Sequence, residues 1–69
     1  MPDHIEITVN GDPHTIPENT SLIDLLDLLK IQGRLAIDVN GEIIPRSNHS
    51  DHLLLSEDRV EIVFAIGGG

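Results

Sequence analysis

Only one stretch of this 69-residue chain carries the periodicity of an amphipathic helix, and the rest must be arranged around it. Over residues 22–30, Leu22, Leu25, Leu26 and Leu29 recur at spacings of three and four, which puts an apolar stripe on one helix face. Ser21 and Asp24 stand at capping-box spacing, with Asp in place of the usual Glu. Asp24 lies near the positive helix start, Lys30 lies near the negative end, and Gly33 is the expected stop. Asp24 and Asp27 share the watered face. Nothing else converges on them, so they read as a solvated surface and not as a metal or acid–base pair.

The flanking segments have the period of strands. Residues 4–9 alternate, with Ile5, Ile7 and Val9 on one side. Asn10-Gly11 is a two-residue hairpin turn, and residues 12–16 form the return strand, which Pro13 confines to a sheet edge. Pro17, Glu18 and Asn19 break that strand before the helix. Residues 35–39 alternate again, Asn40-Gly41 makes a second hairpin into residues 42–44, and Pro45 ends the short strand. Residues 46–58 form a long polar connection, anchored to the core by one or two of Leu53, Leu54 and Leu55, with a turn at Glu57-Asp58. Residues 60–66 are a final strand rich in β-branched side chains.

A single apolar helix stripe among four or five strands is most economically buried across one face of a mixed sheet, with the first and last strands central. That α+β arrangement is the β-grasp, or ubiquitin-like, fold. The expected organisation is one domain over residues 1–66 and a flexible glycine tail over 67–69. Alternation turns Val60, Ile62 and Phe64 toward the helix and Glu61, Val63 and Ala65 outward.

Composition narrows the function. Twelve Asp/Glu against four Lys/Arg give a net charge of −8, which disfavours nucleic acid and anionic membrane surfaces and suits steering toward a basic partner. With one Phe and no Trp or Tyr, stacking on bases is excluded. The absence of cysteine rules out thiolate chemistry on this chain and fits a reducing cytoplasm. The first 20 residues lack a basic start followed by an apolar run, so neither a signal peptide nor a membrane span is expected.

No enzyme constellation emerges. His49 and His52 flank Asp51, but a zinc site needs three or four converging ligands, and the loop reads as solvated. His4 and His14 read as a surface pair across the first hairpin. Ser47 and Ser50 have His and Asp nearby, yet a chain of this size has little room for an oxyanion hole and a substrate cleft. The glycine run precedes no helix and is no phosphate loop.

What remains is the tail, a free Gly69 carboxylate on a thin arm of Gly67 and Gly68 that can enter a narrow cleft. A carboxylate acylates poorly. Transfer of AMP from ATP would make it a mixed anhydride, open to attack by a sulfur nucleophile, and side chains on the last two residues would obstruct that threading. Beside the tail, Val63 and Ala65 with Ala36 would form a small exposed apolar patch suited to a partner.

Residues 21–26 (Ser-Leu-Ile-Asp-Leu-Leu), 36–46 (Ala-Ile-Asp-Val-Asn-Gly-Glu-Ile-Ile-Pro-Arg) and 57–69, which end in three glycines, are ordered and spaced as in ThiS, the sulfur-carrier family of thiamine biosynthesis. The chain resembles that family over essentially its whole length. The resemblance implies a carrier with no catalytic residues, metal or cofactor of its own. Gly69 would be adenylated by an E1-like ATP-dependent enzyme (ThiF type) and converted to a thiocarboxylate. A sulfur donor such as a cysteine desulfurase system would supply the sulfur, and a thiazole synthase (ThiG type) would receive it. Gly68 carries over as the second residue of the diglycine, Gly67 as its extension, and Val63, Ala65 and Ala36 by strand position alone. The small subunit of molybdopterin synthase shares the fold and the diglycine. A carrier for another pathway, a noncatalytic β-grasp binding module and a lysine-conjugated modifier are the alternative readings.

Overall fold

The structure, a computed structural model, describes residues 3–64. It contains β1 (His4–Val9), β2 (Asp12–Pro17), α1 (Leu22–Leu28), β3 (Leu35–Val39), β4 (Glu42–Ile44), a 3-10 turn (Arg46–Asn48) and β5 (Arg59–Phe64). The five strands form one sheet in the order β2-β1-β5-β3-β4. β5 runs parallel to β1 and antiparallel to β3, and the hairpin partners β2 and β4 take the edges. Inward residues of the strands (Ile7, Val9, Ile16, Ile37, Val39, Ile44, Val60, Ile62) close on Leu22 and Leu25 of α1 and on Leu54. This is the β-grasp arrangement, with Pro13 on an edge strand as expected.

Both hairpins turn on left-handed pairs, Asn10 (φ 51°) with Gly11 (φ 87°) and Asn40 (φ 54°) with Gly41 (φ 88°), the conformation that matches strand twist and favours Asn-Gly. The two asparagines also do something that turn chemistry does not require. Asn10 Nδ2 donates to the Ile62 carbonyl (3.2 Å) and Asn10 Oδ1 accepts from the Ile62 N–H (2.8 Å), so the side chain acts as one more rung between β1 and β5. On the other side, Asn40 Oδ1 accepts from the Arg59 N–H (2.9 Å) and its Nδ2 donates to Asp58 Oδ1 (2.9 Å). Asp58 Oδ2 in turn accepts from the Leu55 N–H (2.8 Å). The two turns thus bracket β5. Asn10→Ala removes both bonds to Ile62 and forces alanine into the left-handed region, so it should cost about 3 kcal/mol in denaturant unfolding. Asn10→Gly, which relieves the backbone, should lose about half as much.

The helix is shorter than its leucine pattern predicts. Leu29 is its C-cap, Lys30 turns left-handed (φ 57°), and the N–H groups of Lys30 and Ile31 donate to the carbonyls of Asp27 (3.1 Å) and Leu26 (2.9 Å). This is a Schellman cap with lysine where glycine usually stands. The helix therefore stops three residues before Gly33, the expected stop. Lys30→Gly should raise stability by about 0.5–1 kcal/mol, seen as a melting temperature higher by a few degrees.

At the other end every early N–H finds a partner. Ser21 Oγ accepts from the Asp24 N–H (3.1 Å), completing the capping box, while the carbonyls of His52 and His49 accept from the N–H groups of Leu22 (3.1 Å) and Ile23 (3.2 Å). The polar connection is therefore docked on the helix start. Leu54 alone of the three leucines anchors it in the core, and the Leu54 N–H donates to the Thr20 carbonyl (2.9 Å). His49 overturns the solvated reading. It is 3% exposed, and its Nε2 donates to the Ile44 carbonyl (3.0 Å), tying the connection to β4. The His4–His14 pairing is also corrected. The two-residue turn sets Val9 opposite Asp12, so His4 faces Pro17 and His14 faces Ile7.

Candidate functional site

The site is the end of β5, where the chain leaves the sheet. Register pairs Ala36 with Val63 and Leu35 with Phe64. Val63 points away from the core and is 63% exposed, and Ala36 is exposed beside it, so two of the three expected patch residues form one cross-strand rung. Ala65 and the tail residues Gly67, Gly68 and Gly69 lie outside the described residues.

Phe64 departs from its expected place. The alternation that buries Val60 and Ile62 gives it the inward phase, yet it is 48% exposed and is no member of the core. The cluster of buried side chains ends one rung earlier, at Ile62 opposite Ile37. Phe64 instead borders a cleft of about 450 Å³ together with Arg34, Leu35, Ala36, Arg46 and Val63.

Arg34 and Arg46 are the residues that sequence reasoning passed over. Arg34 directly precedes β3 and Arg46 opens the 3-10 turn after Pro45, so elements distant in sequence bring two of the chain's four basic residues to one cleft. None of the twelve acidic residues borders it. The only signal in the sequence was the Pro45-Arg46 step closing the 36–46 block. An apolar floor with two guanidiniums is equipped to hold a protein surface or an anion. It offers no nucleophile and no group that exchanges protons near neutral pH, since arginine stays protonated. Among the described residues no cluster of three or more His, Asp or Glu is placed to hold a metal ion, and Nε2 of His49 is already engaged by Ile44.

Comparison with known proteins gives a consistent picture. The model of the ThiS family matches residues 6–69. In Porphyra purpurea, the uncharacterized protein ycf40 is 34% identical over 67 residues, covering 96% of this chain and 94% of that protein. In Magnetococcus marinus, a protein named thiazole synthase is 32% identical over 66 residues, covering 94% of this chain but 20% of its own length. The crystal structure of the thiamine biosynthesis protein ThiS from Geobacter metallireducens superposes with a TM-score of 0.83 at 30% identity, over 94% of this chain and all of that one.

Proposed function

Because the chain belongs to the ThiS family, we propose that it carries sulfur as a thiocarboxylate on Gly69 and gives it up for thiazole formation in thiamine biosynthesis. The observation that carries this reading is the family match, which runs through Gly69, on a chain whose described end opens onto an apolar binding surface and no catalytic group. The carboxylate attacks the α-phosphorus of ATP, pyrophosphate leaves, and an acyl adenylate forms on an activating enzyme of the ThiF type. A sulfur nucleophile, fed by a donor such as a cysteine desulfurase, then attacks the acyl carbon. AMP departs with the oxygen it gained, leaving sulfur on Gly69. Catalysis resides in the partners. This chain supplies the acyl group, the glycine arm that reaches it, and a handle.

The handle is the rung of Val63 and Ala36. Ala65 belongs to it by strand phase. Burying the Val63 side chain in a complementary pocket is worth about 1.5–3 kcal/mol, enough for an anchor that must later let go. A thiazole synthase of the ThiG type is the acceptor best supported. In Magnetococcus marinus and in Paramagnetospirillum magneticum, a stretch similar to 94% of this chain makes up 20% of proteins named thiazole synthase. Joining carrier to acceptor in one polypeptide raises their effective concentration to the millimolar range. No helix among the described residues is long and apolar enough to cross a membrane. We assign the chain to the cytoplasm, where ATP and reduced sulfur are available.

Intact-mass spectrometry tests the proposal. After incubation with ATP, the activating enzyme and a sulfide source, the chain should gain the mass of one oxygen replaced by sulfur, localised to Gly69 and absent without ATP. An unchanged mass, with the enzyme proven active on another carrier, would overturn it in favour of a noncatalytic binding module.

A further inference from the structure

We propose that the outer face of β3 and β5 holds a second docking point, where Asp38 and Glu61 receive a basic side chain of the same partner that grips the tail root. The inference rests on the carrier reading and names a feature of the partner that this reading leaves open.

Asp38 stands directly opposite Glu61, just as Ala36 stands opposite Val63. Each carboxylate is two residues along its strand from the apolar rung, so both pairs share one face of the sheet, roughly 7 Å apart. Like charges set directly across a strand pair repel. Asp38 is also half-buried, and its Oδ1 has no hydrogen-bond partner among the described residues, a condition that buried polar atoms rarely show. The two acids line a cleft of about 340 Å³ with Thr8, Asn40 and Arg59. Asn40 cannot serve the orphan oxygen, because its amide is committed to Asp58 and to the Arg59 N–H. Arg59 borders the cleft and still leaves Oδ1 unpaired.

The free chain therefore holds two unrelieved features in one place: a repelling carboxylate pair and an unsatisfied oxygen. One ammonium or guanidinium entering the cleft relieves both. Rotation of the carboxylate about its soft terminal torsion presents either oxygen to the incoming donor. Seen along β3 and β5 from the tail root, the face runs from the two arginines through the apolar rung to the acidic rung. A surface with that order accepts a partner in one orientation, with its own acid toward the tail and its base toward the hairpin turns. Charge order of this kind governs encounter and register more than it governs total affinity.

The test compares Asp38→Asn with Asp27→Asn, which removes the same charge from the exposed helix face. The probes are the thiazole synthase and the activating enzyme of the source organism. Asp38→Asn should raise the melting temperature by roughly 1–6 °C, because it relieves the cross-strand repulsion. It should weaken association with at least one partner by about tenfold and flatten its salt dependence. Asp27→Asn should leave melting and association unchanged. A partner complex that tolerates both variants equally overturns the docking point while leaving the carrier reading intact. So does a fall in melting temperature for Asp38→Asn, which would make the carboxylate structural. A third result against it would be a Mg²⁺-dependent rise in melting temperature that Asp38→Asn abolishes without weakening association, which would mark a cation site. A wild-type chain that binds neither partner and forms no thiocarboxylate overturns the carrier reading and the docking point together.

Discussion

Leu25→Ala is expected to lower the melting temperature by about 15–30 °C and to leave the chain largely unfolded in moderate denaturant. Leu25 is 0% exposed and sits at the centre of the core cluster. Truncating a buried leucine costs about 2.7–5 kcal/mol, part from lost transfer free energy and part from the cavity left behind. At typical values per residue, a domain of this length is stable by only about 3–10 kcal/mol. One core leucine is thus a large share of the whole, and no disulfide offsets the loss, since the chain has no cysteine. Alanine is the best helix former, so the loss reports packing and not helix propensity. Leu28 in the same helix is 52% exposed, and Leu28→Ala should change stability by less than about 0.5 kcal/mol. Thermal melts of the two variants side by side check both statements.

Removal of Gly68 and Gly69 should abolish thiocarboxylate formation while the melting temperature stays within about a degree of the parent. The last core residue is Ile62, and Phe64 after it is already half outside, so shortening the tail leaves every described packing contact in place. Activation requires the acyl carbon to reach ATP inside a cleft. An arm two residues shorter withdraws it by about 7 Å, where even a displacement of 1 Å costs about a hundredfold in rate. Mass spectrometry reads the chemistry and a thermal melt reads the fold. Sulfur loading that survives the deletion would refute Gly69 as its site.

Much of this was legible before any coordinates. The leucine spacing in residues 22–30, the two Asn-Gly turns and the single edge proline determine a one-helix mixed sheet almost without alternatives. The His4–His14 expectation was an avoidable error. A two-residue turn at Asn10-Gly11 already pairs Val9 with Asp12, and counting back puts His4 against Pro17. Other features had no local signal. Asn10 and Asn40 are fully accounted for as turn residues, and nothing near them reveals that their amides reach β5, which lies 52 residues from Asn10 in the chain. His49 sits in a polar run. Its burial comes from the connection docking on the helix start, a tertiary event. Phe64 obeys the alternation and is still exposed, because period tells which way a side chain points and not whether anything lies there. Arg34 and Arg46 meet for the same reason: two ordinary surface cations become a cleft only once β3 and the 3-10 turn are assembled.

The central position of β5 bears on how the protein is made. Each hairpin closes on its own neighbours, but β1 and β3 meet only through β5, the last strand in chain order. Local hairpins can form early, whereas the pairings that join them span most of the chain and are the slow ones. During synthesis the first 58 residues can therefore emerge as two loosely tethered halves without a shared core. The sheet becomes one object only when β5 has left the ribosome, and the residues that follow β5 are translated in the same moment. A chain competent to be recognised through its finished face is thus also one whose sulfur-bearing end has been reached, and an abortive translation product presents neither.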